Sequence, residues 1–133
     1  MKAALKRLGK EGIKVSSAGV SAIDGFRPTR ETIEVMKHEG ADVSSFQSKL
    51  LTDEMIRNSD LILVMTANHM DYVIKRVPQA VSKTHILKQY GRRDNLCACE
   101  SPDISDPIGK PAEVYEYTLG EIKKEINRIA EIL

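Results

Sequence analysis

Hydrophobic positions alternate along this chain between a helical rhythm and short unbroken runs. Residues 2–9 place Ala4, Leu5 and Leu8 on one side and predict a short helix stopped near Gly9 and Gly12. Ile13 to Gly19 predicts a strand, followed by a turn at Asp24-Gly25 and Pro28. Thr29 can cap a helix that turns Ile33, Met36 and Val35 inward and ends at Gly40. Thr52 can cap a shorter one with Met55 and Ile56 inward.

"DLILVM", residues 60–65, is the strongest strand signal; it is apolar without alternation, as expected when helices cover both faces. Residues 67–77 predict a helix through Met70, Val73, Ile74 and Val77, with Pro78 beyond it, and "HILKQY", 85–90, a third strand. Residues 112–133 predict a long amphipathic helix with Val114, Tyr115, Thr118, Ile122, Ile126, Ile129 and Leu133 on its inner stripe. Strands alternating with helices, with no repeat or linker between them, imply a single α/β domain with a parallel sheet. Three strands are few for five helices, and the layer looks one strand short.

Composition narrows the function. The chain has 133 residues, 41% apolar and 29% charged, with a formal net charge of +1. That balance offers no electrostatic case for nucleic acid or an acidic membrane, and the run from Lys88 to Arg93 reads as solvated charge. No apolar stretch approaches the ~20 residues that span a bilayer, and no signal-peptide core opens the chain. Two cysteines one residue apart do not make a disulfide framework, so a reducing cytoplasm is the expected location.

The segment "CACESPDISDPIGKP", 97–111, gathers most of the unusual chemistry. Cys97 and Cys99 lack the second ligand pair of a structural zinc site, and His38, His69 and His85 are scattered, so neither metal nor cofactor is expected. Their C-x-C spacing is also not the C-x-x-C of a thiol redox pair. Gly109-Lys110 is followed by Pro111 where a Walker A loop needs Ser or Thr, and no G-x-G-x-x-G occurs. Asp106-Pro107 stands out, because proline pushes the residue before it toward an extended backbone. A carboxyl group held that way can protonate a leaving group if a reaction centre lies beneath it. The same dipeptide is also ordinary turn chemistry.

Taken in order, "VSSAGVSAIDG", "RETIEVMKHEGADVSS", "LLTDEMIRNSDLILVMTANH" and "SDPIGKPAEVYEYTLGEIKKEI" resemble the low-molecular-weight protein-tyrosine-phosphatase family over essentially the whole chain. The resemblance implies a flavodoxin-like, three-layer α/β fold with a four-stranded parallel sheet in the order 2-1-3-4. It implies hydrolysis of a protein phosphomonoester, phosphotyrosine or phosphoarginine, through a cysteinyl-phosphate. In that family a C-x₅-R-S loop follows the central strand; its thiolate attacks phosphorus while the arginine and loop amides hold the phosphoryl oxygens. Asp106 then falls at the general acid that protonates the leaving oxygen and later activates water. The partner implied is a phosphorylated protein.

The chain departs from that pattern. Its first helix resembles the one that directly follows the phosphate loop, so strand, cysteine and arginine would lie upstream of Met1, and an N-terminally truncated, inactive form is expected. Neither cysteine substitutes: Asp103 lies six residues after Cys97 and Ser105 six after Cys99. Phe46 stands where many relatives carry a histidine that supports the loop, and reads as packing. Ser17 corresponds to a serine beneath the loop, with a structural role. Ile108 stands where relatives tend to have an aromatic lining the substrate slot, which weakens the case for phosphotyrosine. A non-catalytic pseudophosphatase or binding module is the alternative; a thioredoxin-coupled arsenate reductase lacks its redox cysteines here. Without a central strand, residues 13–19 are expected to pair with 60–65, borrow a strand from a second copy in a homodimer, or stay loose, because several buried unpaired amides at ~1–3 kcal/mol each are not tolerable.

Overall fold

The computed structural model describes residues 1–92 and 101–133. Five helices and two strands follow in the order α1 (Lys2–Arg7), α2 (Arg30–His38), α3 (Asp53–Asn58), β1 (Ile62–Val64), α4 (Ala67–Arg76), β2 (Thr84–Ile86) and α5 (Ala112–Ile132). A 3₁₀ segment, Pro78–Lys83, links α4 to β2. Among the described residues no helix is long and apolar enough to cross a membrane.

Three of the helices begin where a threonine side chain can take a free amide. Thr29 accepts from Thr32 N, Thr52 from Met55 N and Thr66 from His69 N, each at 3.2 Å. α2 stops at His38 before Gly40, whose φ of 74° suits the left-handed end of a helix. Val35 is its buried residue; Ile33 and Met36, expected inside, are only half-buried.

β1 and β2 pair in parallel with Ile62 opposite Thr84, Leu63 opposite His85 and Val64 opposite Ile86. Both are shorter than expected. Beyond Ile86 the chain turns at once, with Gln89 N and Tyr90 N donating to Ile86 O, so residues 87–90 leave the strand. Alternation sorts the side chains of β1. Ile62 and Val64 meet Ile56, Val73, Val77, Ala80 and Ile86 on one face. Leu63 and Met65 meet Leu87, Ile104 and Ile129 on the other. The expectation of a strand covered on both faces holds only in part, since Ile62 and Leu63 remain half-exposed.

Residues 13–19 do not form the strand expected of them. Their one ladder-like contact is the parallel bridge from Gly19 to Leu50, with Gly19 N donating to Lys49 O at 2.9 Å and Leu51 N to Gly19 O at 3.0 Å. A strand needs a neighbour at about 4.8 Å along its length, and none of the described strands lies there. Water can serve amides left outside a ladder: Ile13 is 41% exposed, and Val15 alone of the stretch packs, on the cluster of Ala4, Leu5 and Ala130. Leu63 shows the other side of this deficit. Val64 O accepts from Leu87 N, which turns Val64 toward β2 and Leu63 N–H and C=O away from it. Neither Leu63 group has a backbone partner among the described residues.

α5 packs across the Leu63 face. Tyr115, Thr118 and Ile129 are buried as expected, whereas Val114 and Leu133 are each 37% exposed. Glu125 is buried as well, with 4% of its side chain exposed, a placement that the apolar stripe did not suggest. Its carboxylate accepts from Arg92 at 2.6 Å and Arg128 at 2.8 Å. Arg128 also donates to Tyr90 O at 2.6 Å, and Arg92 to Lys88 O at 2.6 Å. A buried carboxylate is tolerable when paired and hydrogen-bonded in this way. The cluster fastens α5 to the turn after β2.

Three outcomes follow for stability. Ile129→Ala, at a site with no exposed surface, should cost about 2–5 kcal/mol in urea titration. Glu125→Ala should cost about 2–4 kcal/mol, less than loss of a fully buried pair because both arginines retain some access to water. Burial lowers the pKa of the Met1 ammonium from 8.0. The folded chain then binds fewer protons than the unfolded one just below pH 8, so stability should rise with pH through that window and level off above it. Acetylating Met1 should abolish the slope.

Candidate active site

Asp106 lies on the loop between β2 and α5, whose residues 101–111 are described. Its placement begins at the end of β1. Ile104 N donates to Met65 O at 2.9 Å, and the Ile104 side chain is buried against Leu87 and Ile129. Two residues further on the chain emerges into solvent. Asp106 is exposed, and its Oδ1 accepts from Ile108 N at 3.0 Å. That bond is the local turn expected of an aspartate before proline. Lys110 N then donates to Pro107 O at 2.9 Å, closing a turn with Gly109 at φ 73°. Glycine suits this third position, where a type II turn needs positive φ. Pro111 follows as the N-cap of α5.

Asp106, Pro107 and Ile108 form part of the lining of a groove of about 530 Å³. Phe26, Met36, Val43 and Phe46 also line it, together with Arg27. Three of these apolar side chains lie well open to solvent: Ile108 at 67%, Phe26 at 62% and Phe46 at 49%. The far side of the groove is held by the pairing of two distant loops. Asp24 accepts from Leu50 N at 2.6 Å, Gly25 N donates to Ser48 O at 3.0 Å, and Ser48 N to Phe26 O at 2.8 Å.

The structure thus brings Phe46 together with Asp106 and Ile108, about 60 residues further along the chain. Ser17 is exposed and does not line the groove. Cys97 and Cys99 lie outside the described residues. His38, His69 and His85 sit on α2, α4 and β2. Among the described residues no group of three metal-binding side chains forms. Sequence reasoning passed over Phe26 and Arg27, which looked like residues of a turn; only the pairing of 19–26 with 48–51 carries them to the groove. Chemically, the groove offers a carboxyl group, a guanidinium and an apolar wall. Among the described residues no thiol lines it.

The model of the low molecular weight phosphotyrosine protein phosphatase family matches residues 1–133. A protein-arginine-phosphatase of Geobacillus stearothermophilus is 35% identical over 122 residues, covering 92% of this chain and 78% of that protein. A probable low molecular weight protein-tyrosine-phosphatase of Ralstonia nicotianae is 31% identical over 127 residues, 96% of this chain and 81% of the other. Among solved structures, the arginine phosphatase YwlE from Geobacillus stearothermophilus superposes with a TM-score of 0.82 at 34% identity, over 97% of this chain and 79% of that one. A low molecular weight protein tyrosine phosphatase from T. tengcongensis gives 0.84 at 34%, over 98% and 84%. An α/β architecture with a parallel sheet, shared with these structures, and a family match along its whole length make this chain a member of the low molecular weight protein-tyrosine-phosphatase family.

Proposed function

We propose that this chain carries the acid-bearing part of a phosphomonoester hydrolase site, with Asp106 as general acid and then general base. In the reaction a cysteine thiolate forms a bond to phosphorus as the bond to the leaving atom breaks, and the Asp106 carboxyl group gives that atom its proton. The resulting carboxylate takes a proton from water, whose oxygen displaces sulfur and releases orthophosphate. The substrate is a phosphorylated protein side chain, phosphotyrosine or phosphoarginine; relatives carry names of both kinds. Ile108 forms an aliphatic wall beside the leaving group.

The observation that carries this reading is the exposure of Asp106 over a groove that it shares with Ile108. Its Oδ1 accepts from Ile108 N, which orients the carboxyl group. The 133 residues contain no cysteine with an arginine six positions on, so the chain by itself has neither sulfur nucleophile nor guanidinium clamp for this chemistry. We read residues 1–133 as one domain, with β1 and β2 as the last two strands of the order 2-1-3-4. The free edge at Leu63 then receives the central strand, and a homodimer forms if a second copy supplies one.

Purified to homogeneity, the chain should hydrolyse p-nitrophenyl phosphate no faster than buffer, and phosphate should leave its melting temperature unchanged. Turnover well above background would overturn this reading. With a C-x₅-R-bearing strand joined ahead of Met1, turnover should appear, and Asp106→Asn should reduce it by about 10²–10⁴-fold. Asn can still accept from Ile108 N, so this variant removes the proton and keeps the turn; unchanged turnover would exclude Asp106 as the acid.

A further inference from the structure

Asp106 is exposed on irregular backbone, and its own side chain makes only a local turn. A proton donor must nevertheless be held within a fraction of an ångström of its acceptor. The restraint has to come from nearby. We propose that Asp103 is the positioning residue of the acid loop, pinned by the N-terminus of α4 and by Lys88; this rests on the reading of Asp106 as the proton donor.

Asp103 is held at its side chain, its N–H and its C=O. Its Oδ1 accepts from Ala67 N, the first residue of α4, at 2.9 Å. Its own N–H donates to Ser101 Oγ at 3.2 Å, and its C=O accepts from Lys88 Nζ at 3.2 Å. Lys88 reaches Ser101 O as well, at 3.3 Å, and is itself fixed by Glu121 of α5 at 2.7 Å. With 15% of the lysine side chain and 26% of the glutamate exposed, this pair is partly withdrawn from solvent.

α4 already has a cap. Thr66 Oγ1 accepts from His69 N. Asp103 therefore adds a second acceptor from 36 residues away, and its negative charge faces the positive end of a ten-residue helix. Such a contact ties the loop to the helix as well as the helix to the loop. Ile104 N on Met65 O completes the anchor one residue later. Asp106 follows Asp103 by three residues, a reach of at most ~11 Å, and among the described residues no other element hydrogen-bonds to residues 105 or 106. Displacement of Asp103 would be passed on to the Asp106 carboxyl group with little to absorb it.

A simple helix cap and a loop pin make different demands. The test is nuclear magnetic resonance on the full 133-residue chain, reading amide exchange at Ile104, ¹⁵N relaxation from Asp106 to Ile108, and the ¹³Cγ shift of Asp106. Asp103→Ala should speed exchange at Ile104 about tenfold, the loss of one charge-assisted bond. It should also move the Asp106 ¹³Cγ shift toward that of an unstructured peptide, while Leu87, whose N–H donates to Val64 O, stays protected. Asp103→Asn, which can still accept from Ala67 N, should restore most of both. Lys88→Met should loosen the loop in the same direction and leave the exchange of His69 and Met70 unchanged. If Asp103→Ala speeds exchange only at the start of α4, or if Lys88→Met leaves residues 104–108 as in the parent, the proposal is wrong. Should Asp103→Ala lose protection at Leu87 and so fail to fold, Lys88→Met decides alone. None of these readouts depends on turnover, so failure here is distinct from failure of Asp106 as the acid.

Discussion

The parallel pairing of Ile62, Leu63 and Val64 with Thr84, His85 and Ile86 governs what the rest of the molecule can do. Three residue pairs are a small sheet, yet they divide the interior in two. The α3 and α4 side chains gather on the face of Ile62 and Val64, and α5 on the face of Leu63 and Met65. The carboxyl ends of the two strands then become the point from which the site is built. Met65 O takes Ile104 N, Val64 O takes Leu87 N, and α4 begins at Ala67. This is the end of the sheet where open α/β folds place their ligands, because loops and helix N-termini converge there. The loop that carries Asp106 is anchored there too, through Ile104 N on Met65 O.

Charge does for α5 what apolar contact does elsewhere. The buried clusters are small, with Leu87, Ile104 and Ile129 forming one and Ala4, Leu5 and Ala130 another. Between them Glu125 draws Arg92 and Arg128 onto the turn after β2, and Glu121 draws Lys88 onto the loop at 101–103. One further ion pair, Lys123 with Glu39, links α5 to the end of α2. The long helix thus serves as a rail to which the loops on either side are fastened by side chains of opposite charge. Such contacts are directional, and they hold irregular backbone that a hydrophobic face alone would leave free to slide.

The surface near Asp106 is apolar and open, through Ile108, Phe26 and Phe46, and so is the neighbouring Ile23. The 13–19 stretch lies outside the sheet, and Leu63 turns its backbone groups to a side that no described strand occupies. These features go together: among the described residues two strands pair, and the far edge of β1 carries no third.

Local chemistry was readable from the residues. The threonine caps at 29 and 52, the strand core within "DLILVM", the helices after them and the turn at Asp106-Pro107 each depend on neighbours within a few positions. A cap or an amphipathic stripe is the same in any fold. The strand at 13–19 was misread for a complementary reason: β-propensity says only that a segment suits a ladder, and a ladder exists only if a partner lies beside it. Burial of Glu125, the union of Phe26 and Phe46 with Ile108, and the hold of Asp103 on Ala67 depend on segments tens of residues apart. Those contacts exist only once α5 and the two loops have been brought to the carboxyl end of the sheet. Their strength is set by distance and withdrawal from water, neither of which is written in the order of the amino acids.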